Sequence, residues 1–178
     1  MSVAAVVVTY NRKEELLKNL SAVLGQTHPV DRYYIIDNHG SDGTEVTLRE
    51  AGILDNAVVE YVYLPENIGG AGGFYTGVKM AYEAGYDYIC LMDDDGRPAN
   101  DEMMGCLLEV AERFRETHSK LMLNAMVLDL DGERMAFGLT EINSREMACA
   151  KAQEGLLYGT INPFNGTLIS KEFPPRNR

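Results

Sequence analysis

The chain has 178 residues, 46% of them apolar and 24% charged, which suits one globular domain with a real core and excludes a disordered protein. Its Lys plus Arg total of 16 against 27 Asp plus Glu leaves a net charge of −11, which argues against nucleic acid or an anionic bilayer as the main partner. Cys90, Cys106 and Cys149 show neither CxxC spacing nor a nearby histidine pair, so zinc and a disulfide framework are poorly supported.

Residues 3–9 form a continuous apolar, largely β-branched run, the pattern of a strand buried on both faces. Asn11 with Glu14 three residues on predicts an N-cap, and Leu16, Leu17, Leu20, Val23 and Leu24 follow at helical spacing. Residues 32–37 read as a second strand, and Ser41-Asp42-Gly43-Thr44 opens a second helix that ends near Gly52, with Asp42 as its cap. A third strand is expected over 58–63, then a glycine-rich turn at 66–73 leading into a helix through Ala84. Residues 86–92 are the fourth strand, with Cys90 as a small core residue, and Asp93, Asp94 and Asp95 follow at once. Pro98 and Asn100-Asp101-Glu102 start a helix to about residue 117. Further on, 120–130 reads as a strand, Asp131-Gly132 as a turn before Met135-Ala136-Phe137, and 140–154 as a loop or short helix. Two last strands are expected at 155–161 and 166–169, with Asn165-Gly166 as a tight turn. Nothing approaches the ~20 apolar residues of a spanning helix, and no signal peptide is evident, so a cytoplasmic setting is expected.

Strand and helix alternate four times with short connections, which predicts a doubly wound, mostly parallel open α/β sheet. Such sheets bind ligands at the carboxyl ends of their strands. Thr9 to Asn11, Asp37-Asn38, Glu66 to Gly73 and Asp93 to Asp95 all fall there.

Clustered carboxylates at one strand end repel, and a cation relieves that cost. Hard oxygen ligands suit Mg²⁺ or Mn²⁺, which usually hold phosphates. The competing reading is an acidic turn that caps the next helix. A haloacid-dehalogenase pattern fails because Arg97 follows Gly96 and the triplet ends the fourth strand, and Arg97-Pro98 breaks an EF-hand. The glycines between 69 and 73 let a ligand approach the amides at a helix mouth, or let the helix pack closely on the sheet. Tyr75 removes the dinucleotide fingerprint, and Val78 after Gly77 removes the P-loop. Asp37 is placed to accept hydrogen bonds from a base or ribose. His28, His39 and His118 read as loop residues, and Tyr33 and Tyr34 as core.

In order and spacing, residues 6–12, 36–44, 67–74 and 93–96 resemble the family 2 glycosyltransferases. Asn67-Ile68-Gly69-Gly70-Ala71-Gly72-Gly73-Phe74 is most like the galactofuranosyl- and rhamnosyltransferase branch, and residues 162–170 resemble a later acceptor-side segment. The resemblance implies a GT-A fold and inverting transfer from a UDP- or dTDP-sugar, aided by Mg²⁺ or Mn²⁺. It also implies a polysaccharide or lipid-linked glycan acceptor, with peripheral association at the inner membrane face. Thr9 and Asn11 would line the nucleotide pocket, Asp37 would meet the base, and Asn67, Gly70, Gly72 and Gly73 would border the donor. Asp93 would face the ribose or the metal, with Asp94 beside the donor, and Asp95 would bind the cation on the diphosphate.

The resemblance makes 1–178 a single domain, with 1–118 as the nucleotide-sugar part and 119–178 as the start of the acceptor side. It places the general base in an acidic motif beyond residue 170, where only Glu172 is acidic and no histidine follows. The expectation is a chain cut short, which binds donor and ion and transfers sugar feebly or not at all. Two alternatives stay open. One is a non-catalytic nucleotide-sugar-binding module. The other is a sugar nucleotidyltransferase, which would carry a basic glycine-rich segment where Thr9-Tyr10-Asn11-Arg12 stands.

Overall fold

A strand with no polar residue before its last position needs cover on both faces, and the fold provides it. The computed structural model describes residues 1–139, 142–153, 156–157 and 165–173. Four parallel strands, β1 (Val3–Thr9), β2 (Arg32–Asp37), β3 (Val59–Tyr63) and β4 (Tyr88–Asp93), alternate with α1 (Lys13–Leu24), α2 (Thr44–Glu50) and α3 (Gly69–Glu83). After β4 come α4 (Met103–Phe114), β5 (Met122–Asn124), β6 (Arg134–Leu139), β7 (Ile142–Ser144), α5 (Arg145–Lys151) and β8 (Thr167–Ser170). The main sheet runs β3-β2-β1-β4-β8-β5, with β8 antiparallel to both its neighbours, and β6 and β7 pair separately.

Alternation along β1 divides the core. Val3, Ala5 and Val7 face one side and pack with Leu16 and Leu20 of α1, Leu48 of α2, and Met104 and Leu108 of α4. Ala4 and Val6 face the other side and pack with Phe74 and Ala81 of α3. Each fully buried valine, leucine or methionine side chain among them is worth about 1.5–3 kcal/mol. Tyr33, Tyr34 and Cys90 are buried here, as their sequence context suggests, and burial pushes the Cys90 thiol up to about 12.

The chain leaves β1 toward β2 and β3, then crosses to the other side of β1 to form β4. The order therefore reverses between β1 and β4, and their carboxyl ends open a crevice at that point. At the opposite end of the sheet, a cleft of about 450 Å³ is lined by Met1, Asp87, Arg115, His118 and Lys171.

Three local expectations are corrected. Asn11 does not cap α1: its φ of 56° is left-handed, and its Oδ1 accepts from the Ser41 amide at 2.7 Å instead. The carboxylate of Asp42 covers the start of α1 from the neighbouring loop, accepting from the Lys13 amide at 3.2 Å. The glycine-rich stretch is a turn only as far as Ile68, because α3 begins at Gly69. The strand expected over 120–130 is only β5, since its partner β8 begins at Thr167, just after Gly166, whose φ of 69° breaks the extended run. Of the strand expected over 155–161, all but 156 and 157 lie outside the described residues. Among the described residues no helix is long and apolar enough to cross a membrane.

Candidate nucleotide-sugar site

The crevice is built first from β1 and β4. Thr9 and Asp94 are buried neighbours, and the Thr9 hydroxyl donates to Asp94 Oδ2 at 2.9 Å. Arg12 Nη1 donates to Asp94 Oδ1 at 3.2 Å and to Asp95 Oδ2 at 2.7 Å. Burial raises the pKa of Asp94, and the bonds from Thr9 and Arg12 pull against it. Asp93 is different. Burial, then Asp95 and Asp94, push its carboxyl up to about 6, and no hydrogen bond or ion pair to that carboxylate occurs among the described residues.

The turn that carries the triplet rests on a buried asparagine. Asn19 of α1 is 1% exposed, and its Nδ2 donates to the Asp93 carbonyl at 3.2 Å and the Gly96 carbonyl at 2.6 Å. Its Oδ1 accepts from the hydroxyl of fully buried Tyr33. From the other side the Asn165 side chain lies against Gly96 so closely that a Cβ there would collide. Asn165 belongs to the segment 162–170 that resembles the acceptor side, and 162–164 lie outside the described residues.

At the ends of β2 and β3, the Asp37 carboxylate is 1% exposed, accepting from the Gly40 amide at 2.7 Å and the Tyr61 hydroxyl at 2.6 Å. Burial and Asp37 together raise the Tyr61 pKa, so the phenol stays a donor. Asn38 ties this loop to α3. Its Nδ2 donates to Asn67 Oδ1 at 2.9 Å, and its Oδ1 accepts from the Ile68 amide at 3.0 Å. His39 and Tyr63 stack obliquely with ring centroids 5.4 Å apart, and Tyr63 and Tyr10 stay exposed on the rim.

The glycines of α3 divide by face. A Cβ at Gly73 would sit 2.6 Å from Val8, and one at Gly77 would collide with Val6, so these two let the helix lie against β1. Close packing is therefore what the structure shows for Gly73. Gly72 is crowded by Ile68 at 2.8 Å, whereas Gly70 is exposed and meets nothing within 4 Å. Gly69 and Gly70 leave the first amides of α3 beside the crevice, where the helix dipole favours an anion.

Among the expected site residues, Asp93, Asp95, Asn11, Asn67 and Gly70 reach the rim, while Thr9, Asp37 and Asp94 lie buried just beneath it. Arg12, Asn19, Asn38 and Asn165 belong to the same constellation and were given no site role of their own by sequence reasoning, although Asn38 was placed at a strand end and Asn165 in a tight turn. Arg12 and Asn38 adjoin residues that were assigned a role, which is the one local signal available.

No group of three or more His, Cys, Asp or Glu forms a metal cage among the described residues. The residues fit a cation of another kind. Asp93 is a carboxylate with no hydrogen bond or ion pair among the described residues, next to exposed Asp95, and Mg²⁺-type ions commonly take one or two carboxylates and complete their shell with phosphate and water.

An open, mostly parallel sheet with its acidic turn and helix mouth at the switch point defines the GT-A class. The model of Glycosyl transferase family 2 matches residues 4–120, and the chain belongs to that family. It is 36% identical over 175 residues to galactofuranosyltransferase GlfT1 of Mycolicibacterium smegmatis and 34% identical over 173 residues to that of Mycobacterium tuberculosis. Each alignment covers 94% of this chain and 55% of the relative, so the chain spans about half the length of these curated relatives. Among solved structures, S. aureus TarS 1-349 in complex with UDP-GlcNAc superposes with a TM-score of 0.59 at 20% identity, covering 79% of this chain and 38% of the TarS 1-349 chain. The mannosyltransferase PcManGT from Pyrobaculum calidifontis, in complex with GDP-Man and Mn²⁺, gives a TM-score of 0.52 at 19% identity over 61% of this chain and 32% of its own.

Proposed function

We propose that this chain is the donor-binding part of an inverting, metal-dependent glycosyltransferase that uses a UDP- or dTDP-sugar. The observation that carries this reading is Asp93, a carboxylate kept uncomfortable by burial and by Asp95 at the switch point of the sheet. Asp93 and Asp95 would hold Mg²⁺ or Mn²⁺, which when bound acts as a Lewis acid for the departing nucleoside diphosphate. The amides of α3 that follow Gly69, whose own N–H donates to Asn67 Oδ1 at 2.9 Å, would take the diphosphate, with Gly70 leaving room for it. Asp37 would orient the base through its loop, Asn11 and Asn67 would border the nucleotide, and Thr9 and Asp94 would brace the site from beneath.

Residues 119–178 open the acceptor side. The name of the relatives makes a galactofuranosyl donor the first to try, and the acceptor in this reading is a polysaccharide or lipid-linked glycan, assembled at the inner membrane face. Isothermal calorimetry with UDP, dTDP and ATP, each with and without Mn²⁺, tests the reading. UDP or dTDP should bind with Mn²⁺ and lose at least about tenfold in affinity in Asp95→Ala, as expected for a charged group meeting an ion. Tight ATP binding with no response to UDP or dTDP would overturn it.

A further inference from the structure

We propose that Arg12 is a resident counter-ion of the acidic turn, which a divalent cation must displace from Asp95 before that carboxylate can serve as a ligand. The inference rests on the metal-dependent reading above and adds a competitor already built into the chain. Arg12 follows Asn11, whose left-handed φ of 56° turns the chain out of β1, and Arg12 itself has a non-helical φ of −138° before α1 begins. Its guanidinium lies over the β1–β4 seam, with one nitrogen within 3.2 Å of Asp94 Oδ1 and 2.7 Å of Asp95 Oδ2.

These two contacts are unequal in kind. The Asp94 side chain is 7% exposed and is held by Thr9 as well, so it anchors the arginine. The Asp95 side chain is 48% exposed and that of Arg12 54%, so this contact is screened by water and free to exchange. Asp95 Oδ2, which accepts the guanidinium N–H at 2.7 Å, cannot also take a hard dication without bringing two positive charges into contact, and a dication on Oδ1 of the same carboxylate meets the arginine's charge at only slightly longer range. Arg12 therefore lowers the apparent metal affinity of Asp95. Once the ion has taken Asp95, Arg12 keeps Asp94 as its partner.

The proposal predicts an unusual sign: removing a residue of the site tightens the site. Mn²⁺ binding to the purified chain without nucleotide, followed by the electron paramagnetic resonance of free Mn²⁺, should be about three- to tenfold tighter in Arg12→Gln than in wild type, the scale of one exposed ion pair plus one charge. Arg97→Gln is the control for charge alone. Arg97 sits two residues past Asp95 and contacts Glu15 at 3.8 Å, and its removal should change Mn²⁺ affinity by less than about twofold. Unchanged or weaker binding in Arg12→Gln, or equal tightening in both variants, would overturn the proposal. Absence of Mn²⁺ binding in all three proteins, even with saturating UDP, would instead bring down the metal-dependent reading and this proposal along with it.

Discussion

Asp93 and Asp94 are adjacent, yet among the described residues one carboxylate lacks a hydrogen-bond or ion-pair partner and the other has Thr9 and Arg12. That difference decides what each can do. The Asp93 carboxyl sits at about 6 in the fold, held there by burial first and by Asp95 and Asp94 next, whereas in the unfolded chain it returns to about 4. Between those values the folded protein keeps a proton that the unfolded chain releases, so this group's stabilising contribution is lost as pH rises and stays lost above it. Asp93→Asn removes the penalty. In EDTA, urea unfolding at pH 8 should show the variant more stable by about 1–2 kcal/mol, with the gain shrinking toward zero near pH 4. A variant no more stable at pH 8 would mean that the carboxylate is already satisfied. The repulsion was legible from three adjacent aspartates. The pairing of Arg12 was not, because an ion pair across 82 or 83 residues leaves no trace in local spacing. Asn19 was missed for a related reason: a polar residue within an amphipathic helix reads as surface, and only the tertiary fold turns it toward the acidic turn.

The element that most needs its sequence explained is α3, which opens with four glycines in five residues, each a poor helix former. Two different physical needs account for them. Gly73 and the later Gly77 are four apart and face Val8 and Val6, so the helix axis can approach β1. Gly70 faces open space at the crevice. Gly73→Ala should therefore destabilise by about 1–3 kcal/mol through overpacking, read by thermal or urea unfolding. Gly70→Ala should be neutral or stabilising by up to about 1 kcal/mol, and yet weaken UDP binding in the presence of Mn²⁺. If Gly70→Ala left UDP affinity unchanged, the open space would not be where the diphosphate lies. Sequence reasoning named both uses for these glycines without assigning them, since a glycine's neighbours across a sheet are set by register. Its expectation of a turn through residue 73 failed because packing on β1 overrides weak helix propensity.

At the scale of the molecule, topology brings the polar clusters together. Four parallel strands in the order β3-β2-β1-β4 put Thr9, Asp37, Tyr63 and Asp93 at one edge, and the reversal between β1 and β4 makes that edge a crevice. This much was legible, because unbroken apolar runs and short connections leave few alternatives to a doubly wound sheet. The later strands were less so. β8 enters antiparallel between β4 and β5, and short strands with mixed polarity carry little periodicity to read. The antiparallel entry matters to the site because it brings Asn165 over Gly96 of the acidic turn. A crystal of this chain grown with UDP and Mn²⁺, with an anomalous difference map recorded for manganese, is the most direct test of the account. It should show one manganese peak bound by Asp93 or Asp95 and sharing the UDP diphosphate, which lies across the first turn of α3 beside Gly70. Nucleotide seated elsewhere, or manganese density away from both carboxylates, would contradict it.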